Sequence, residues 1–184
     1  MAAAVHHNEQ GEGRMTRSQS KQQKIAVLID AENVSYTLVR PILLRAACYG
    51  TLQVKRAFAD WTRPDMRRFR CVMNENAIEA VHLVSYARGK NAADITLCLN
   101  AMELVHTGMF DAVFLVSSDS DLTPLAFCIR REGVRVVGIG GQQTPRAFVK
   151  ACSNFIYTES IAAVGVPAIT RHTRFNAHST LTTP

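Results

Sequence analysis

Four aspartates stand where they could do chemistry together. Asp30 closes an apolar run, Asp94 falls at the start of a helical stretch, and Asp119 and Asp121 lie two apart in Val116-Ser117-Ser118-Asp119-Ser120-Asp121. Carboxylates gathered in one concave site repel one another, and keeping several of them ionised is costly unless a cation compensates. Oxygen donors of this kind suit Mg²⁺ or Mn²⁺. Such ions polarise a phosphoryl oxygen, lower the pKa of a water so that it attacks as hydroxide, and stabilise the leaving oxygen. Hydrolysis of a phosphodiester fits that set. Each acid also has a plain structural reading: Asp94 as a first-turn acid facing a helix dipole, Asp121 as the N-cap of the helix after it. An Asp-x-Asp pair alone is weak.

For the four to meet, the chain must bring distant segments to one edge. Ile25-Ala26-Val27-Leu28-Ile29 is short, apolar throughout and β-prone, which is how a strand covered on both faces reads. A helix over about 34–48 places Leu38, Ile42 and Ala46 at four-residue steps, and Gly50 stops it. Strand two is expected over 52–59, a basic helix over 63–76, strand three over 77–85, and a helix over 91–106 whose apolar stripe includes Ile95, Leu99 and Met102. Strand four follows over 111–117, a helix over 122–131 broken by Gly133, strand five over 134–139, and a short helix over 145–152. Residues 155–157 read as a sixth strand. Strands alternating with helices imply parallel pairing through right-handed crossovers, hence an α/β fold built as a three-layer α/β/α sandwich. A strand order of 3-2-1-4-5 would set Asp30 and Asp119 side by side where the order reverses, the place such sheets bind ligands. Asp94 and Asp121 then lie at the same edge.

Composition bounds the rest. A chain of 184 residues, 47% hydrophobic, has room for one ordinary core. Residues 1–23 are Gln-, Ser- and Gly-rich without hydrophobic period and are expected to be a flexible tail, His6 and His7 included. The folded domain is expected over 24–160, followed by a largely flexible extension over 161–184. With 21 Lys and Arg against 15 Asp and Glu the net charge is +6, which favours a polyanionic partner without identifying it. The five cysteines are widely spaced with no Cys-x-x-Cys pair, as expected of reduced thiols in the cytoplasm rather than of a disulfide framework or a zinc site. No signal peptide or membrane span is expected. The sequence leaves a homodimer open.

Ile29-Asp30-Ala31-Glu32-Asn33, then Lys90 with Asp94, then Ser117-Ser118-Asp119-Ser120-Asp121 resemble the motifs of the NYN domain family, LabA-like branch, among the PIN-like nucleases. The resemblance spans roughly residues 24–158. It implies a PIN-like fold and a metal-dependent ribonuclease, with Asp30, Asp94, Asp119 and Asp121 holding Mg²⁺ or Mn²⁺ and Asn33 orienting a ligand or water. Glu32 reads as a bystander.

Around the acids, Arg56, Arg63, Arg67, Arg68 and Arg70, with Arg88 and Lys90, could track an RNA backbone, although helical spacing does not put all of them on one face. Arg88, Lys90 and Arg63 are the basic residues assigned to the substrate. Trp61 could stack on an unpaired base or pack half-buried. The loop Gly140-Gly141-Gln142-Gln143-Thr144 could cradle a phosphate with its amides and Thr144, joined by Ser118, but has no Gly-Lys-Ser/Thr ending of a P-loop. His82 and His106 read as structural. No Ser-His-Asp order accompanies the serines. Two alternatives remain: a catalytically silent module of this fold that binds RNA or a regulatory protein, and phosphoryl transfer with Asp30 as nucleophile. The second is disfavoured because Glu32 stands where a second aspartate is usual.

Overall fold

Residues Lys24–Asp30 form β1 in the computed structural model, which describes residues 22–83 and 92–163. Ile25, Val27 and Ile29 are buried on one face of that strand and Ala26 and Leu28 on the other, so the unbroken apolar run reflects burial on both sides. The other strands are β2 (Thr51–Ala59), β3 (Glu79–His82), β4 (Ala112–Val116), β5 (Arg135–Gly140) and β6 (Asn154–Tyr157). All pair in parallel, in the order 3-2-1-4-5-6. The expected order holds, and the sixth strand extends it beyond β5.

Helices cover both faces. Helix α1 (Val39–Ala47), α2 (Arg67–Asn76) and α6 (Thr158–Ala163) pack one core through Ile42, Ala46, Phe69, Met73 and Ile161. Helix α3 (Ala92–His106), α4 (Thr123–Arg131) and α5 (Arg146–Ala151) pack the other through Leu97, Ala101, Ala126, Ile129 and Phe148. Emptying the middle of either layer, for example Phe114→Ala on fully buried β4, would cost roughly 3–5 kcal/mol. Short 3-10 turns lead into three of the helices: Tyr36–Leu38 into α1, Pro64–Met66 into α2 and Ser120–Leu122 into α4. Gly133, at φ 77°, ends α4 in the left-handed conformation that a residue with a Cβ resists.

Two expectations change. Ile95 and Leu99 are 60% and 67% exposed, so they do not form the core stripe of α3; Leu97, Ala101, Leu104 and Val105 do. The helix is apolar nearly all round, and periodicity then cannot choose the inward face. The folded part also continues past residue 160, because Ile161 in α6 is buried. Gln23, at the end of the expected N-terminal tail, accepts the Thr51 amide on its carbonyl at 2.8 Å, and residues 1–21 and 164–184 lie outside the described residues.

Candidate metal centre

The strand order reverses between β1 and β4, and the first and third motifs leave those two parallel strands side by side. Asp30 is the last residue of β1 and is buried. Its Oδ2 accepts two hydrogen bonds, from Asn33 Nδ2 at 2.7 Å and from the buried Ser117 Oγ at 2.8 Å. Ser117 follows β4, and its Oγ in turn accepts the Asp119 amide at 3.1 Å. The first motif is therefore tied to the third through one hydroxyl. That link fixes where the backbone carrying Asp119 leaves the sheet.

Asp119 then caps the turn that follows. Its Oδ1 accepts the Asp121 amide at 2.9 Å, so the N-cap is Asp119, and Asp121 stands in the first turn. Asp94 arrives from the neighbouring helix of the same layer, in the first turn of α3. Asp94, Asp119 and Asp121 each offer a carboxylate oxygen, and these oxygens lie within 4.8 Å of one another. Asp30 is not one of that trio, but its charge reaches Asp94. Burial pushes the Asp94 carboxyl up to about 6, and the charges of Asp119, Asp30, Asp121 and Glu32, in that order, add to the rise.

The donor set suits a hard divalent ion. It is all carboxylate oxygen, it includes a group already reluctant to ionise, and among the described residues no Lys, Arg or His pairs with Asp94 or Asp119. Asp94 and Asp119 are half-buried and Asp121 is exposed, so the trio opens to solvent. A bulky substrate can approach it.

The glycine loop after β5 holds the third motif in place. A Cβ on Gly140 would stand 2.6 Å from the Ser117 carbonyl oxygen and 2.7 Å from Thr144 Oγ1, so the close approach requires glycine. The Gly141 amide donates to Ser118 Oγ at 2.9 Å, the Thr144 hydroxyl donates to the Gly141 carbonyl at 2.6 Å, and the Gln142 amide donates to Glu159 Oε1 at 3.0 Å. Thr144 is buried. Of these groups, expected as a phosphate cradle, the Gly141 amide braces Ser118, and the Thr144 hydroxyl and Gln142 amide bond to Gly141 and Glu159. The bracing runs between loops 23 residues apart, which no local motif announces.

The remaining candidates sit further round the edge. Glu32 does lie apart from the trio: its Oε1 takes Arg63 Nη1 at 3.2 Å and the Asp60 amide at 3.4 Å. Arg63 is also held by Asp65 at 2.7 Å, so the cation assigned to substrate is engaged by two acids of its own chain. Trp61 takes the packed arrangement, half-buried, with its indole N–H on the Val81 carbonyl at 2.9 Å and its ring 5.9 Å from Phe69. Arg88 and Lys90 lie outside the described residues. From sequence the serines of the third motif read as hydrogen-bond partners of the carboxylates or of a phosphate, and Ser117 takes the first, on Asp30.

Comparison with known proteins agrees with this geometry. A crystal structure of a protein of unknown function from Vibrio parahaemolyticus RIMD 2210633 superposes with a TM-score of 0.63 at 23% identity, over 75% of this chain and 94% of that one, a likeness of fold. No functionally curated protein gave a match. The NYN domain model matches residues 24–161, the whole sheet and helices α1 to α5 with the start of α6. With a PIN-like nuclease fold and an aspartate cluster at its switch point, this chain belongs to the NYN domain family.

Proposed function

We propose that this protein is a metal-dependent ribonuclease that hydrolyses RNA phosphodiester bonds. The reading rests on one observation: three carboxylates, one from the start of α3 and two from the turn after β4, converge within 4.8 Å at the switch point, with Asp94 raised to about 6. Structural acids at helix starts have no reason to converge so closely, since each then works against its neighbours.

Asp94, Asp119 and Asp121 would hold the ion, Mg²⁺ or Mn²⁺. When bound, it supplies charge stabilisation at the phosphoryl group and an acidified water. Asp30 adds negative charge beneath the trio, and Asn33 and Ser117 fix its carboxylate in one rotamer. Asn33 is exposed, so its remaining N–H can also orient a ligand or water at the mouth of the site. Arg88 and Lys90 remain proposed phosphate contacts, because they lead in sequence to α3 and Asp94. The setting we infer is the cytoplasm, consistent with five free cysteines. No helix among the described residues is long and apolar enough to cross a membrane. Within the family, the three motifs favour the LabA-like branch.

The test is cleavage of labelled single-stranded and structured RNAs in Mg²⁺ or Mn²⁺ against EDTA, with calorimetric titration of Mn²⁺ alongside. Wild type should cut only with metal, and Asp119→Asn should neither cut nor bind Mn²⁺ at the wild-type stoichiometry. A folded Asp119→Asn variant that cuts like wild type would sink the reading.

A further inference from the structure

We propose that single-stranded RNA reaches the carboxylate site across a platform made by Tyr36, Arg40 and Arg68, with a base stacked on Tyr36 and phosphates on the two arginines. The inference rests on the ribonuclease reading and adds the path of the strand. Tyr36 begins the helical segment that follows the first motif, three residues after Asn33. Three residues of chain span at most about 10 Å, so the ring lies within a few nucleotides of the site. Arg40, exposed, follows Tyr36 by four residues along the segment that runs from the 3-10 turn into α1, so its long side chain starts little more than one turn from the ring. Arg68 comes from α2: its Nη1 donates to the Tyr36 hydroxyl at 3.1 Å and its guanidinium lies 5.8 Å from the ring centre.

Three arginines of β2, α2 and the turn between them are already engaged. Arg63 is held by Glu32 and Asp65, Arg56 by Glu79, and Arg70 donates to the Trp61 carbonyl. Arg40 and Arg68 are exposed and, among the described residues, pair with no carboxylate. No acid occurs in the sequence from Ser35 to Tyr49 or from Met66 to Asn74. Helices α1 and α2 thus carry five arginines against one acid, Glu75 near the end of α2, next to an anionic site that would itself repel a polyanion. An aromatic ring flanked by guanidinium groups suits a flexible strand, because every base offers a π-face and every linkage a phosphate. Tyr36 is half-buried against the core beneath it, so the platform is rigid before the strand arrives.

The experiment is anisotropy titration of a labelled, unstructured RNA oligonucleotide with the full chain in EDTA, repeated over a range of salt. Tyr36→Leu keeps the packing volume but removes the π-face, and should weaken binding about tenfold without altering the salt slope. Tyr36→Phe keeps the face and should bind like wild type. Arg40→Ala and Arg68→Ala should each weaken binding and lower the salt slope by about 0.7. Wild-type affinity and slope in Tyr36→Leu, Arg40→Ala and Arg68→Ala would overturn the inference, and loss of cutting in Asp119→Asn alongside would leave the nuclease reading intact. RNA held through Tyr36 by a chain that never cuts would keep the platform and remove the nuclease. A wild type with no measurable RNA affinity would remove the platform as well.

Discussion

Two groups of acids share the carboxyl edge of the sheet, and their electrostatics run in opposite directions. Around Arg63, Glu32, Asp60 and Asp65 are compensated by their own chain. The side chain and amide of Thr62 hold the Asp60 carboxyl below its usual range, and the Arg63 guanidinium does the same for Asp65. Around Asp94 the balance reverses: burial and four nearby negative charges push its carboxyl up to about 6. One group has ion-pair and hydrogen-bond partners on its own chain, which leaves less for an added cation to relieve. The other holds like charges together, an arrangement that a divalent ion would relieve. Residue type does not separate a metal site from a surface ion network; the presence of a partner on the same chain does.

The largest effect that tests this contrast is on activity. Asp119→Asn should lower RNA cleavage by at least about 100-fold, since losing even an outer partner of a metal ligand commonly costs 10–100-fold. Asp65→Asn should leave it unchanged. Equal losses in the two variants, measured as initial rates in Mn²⁺, would erase the distinction between the groups. Next comes pH. Asp94 must be ionised to hold a cation, so Mn²⁺ affinity should rise about tenfold per pH unit below pH 6 and level off above it. A flat calorimetric profile from pH 4.5 to 7.5 would exclude Asp94 from the ligand set.

The sequence carried most of the scaffold for a physical reason. Strands buried on both faces must be apolar throughout, and parallel crossovers with one handedness leave few orders for five or six of them. Asp30, Asp94, Asp119 and Asp121 were legible because each sits where an apolar run or a helix meets that edge. What was not legible depends on long-range pairing. Nothing near Glu32 announces Arg63, 31 residues away, and nothing near Gly141 shows that its amide would donate to Ser118, 23 residues away. The outward face of α3 was hidden for the opposite reason: Ile95 and Leu99 look like core residues in a helix that is apolar nearly all round.

Stability gives a smaller and sharper test. Because the folded-state value of Asp94 lies above its ordinary one, the native protein binds more protons than the unfolded chain between about pH 4 and 6. Metal-free stability should therefore fall as pH rises through that window and stay lower above it. Asp94→Asn should raise the metal-free melting temperature by a few degrees at pH 7.5, at roughly 2–4 °C per kcal/mol, and leave it unchanged near pH 4. Adding Mn²⁺ should reverse the order, stabilising wild type by mass action and leaving the variant behind. Asp60 and Asp65 carry the opposite sign: their depressed values add stability that is present above the ordinary aspartate range and lost as pH falls through the folded values.

The smallest effect lies at the boundary between the groups, in Glu32. It pairs with Arg63 yet is the last-ranked of the charges that raise Asp94. Glu32→Gln removes a negative charge that attracts a cation to the trio, and also one that favours protonation of Asp94. Above pH 6 Asp94 is already ionised, so only the first effect operates, and Mn²⁺ affinity should fall by less than about threefold, less still at high salt. Near pH 5 the two effects oppose each other and the change should shrink toward zero, with the midpoint of the profile displaced slightly downward. A loss greater than tenfold at pH 7.5 would make Glu32 a ligand. The two groups of acids would then be one site, with Arg63 as its counter-charge.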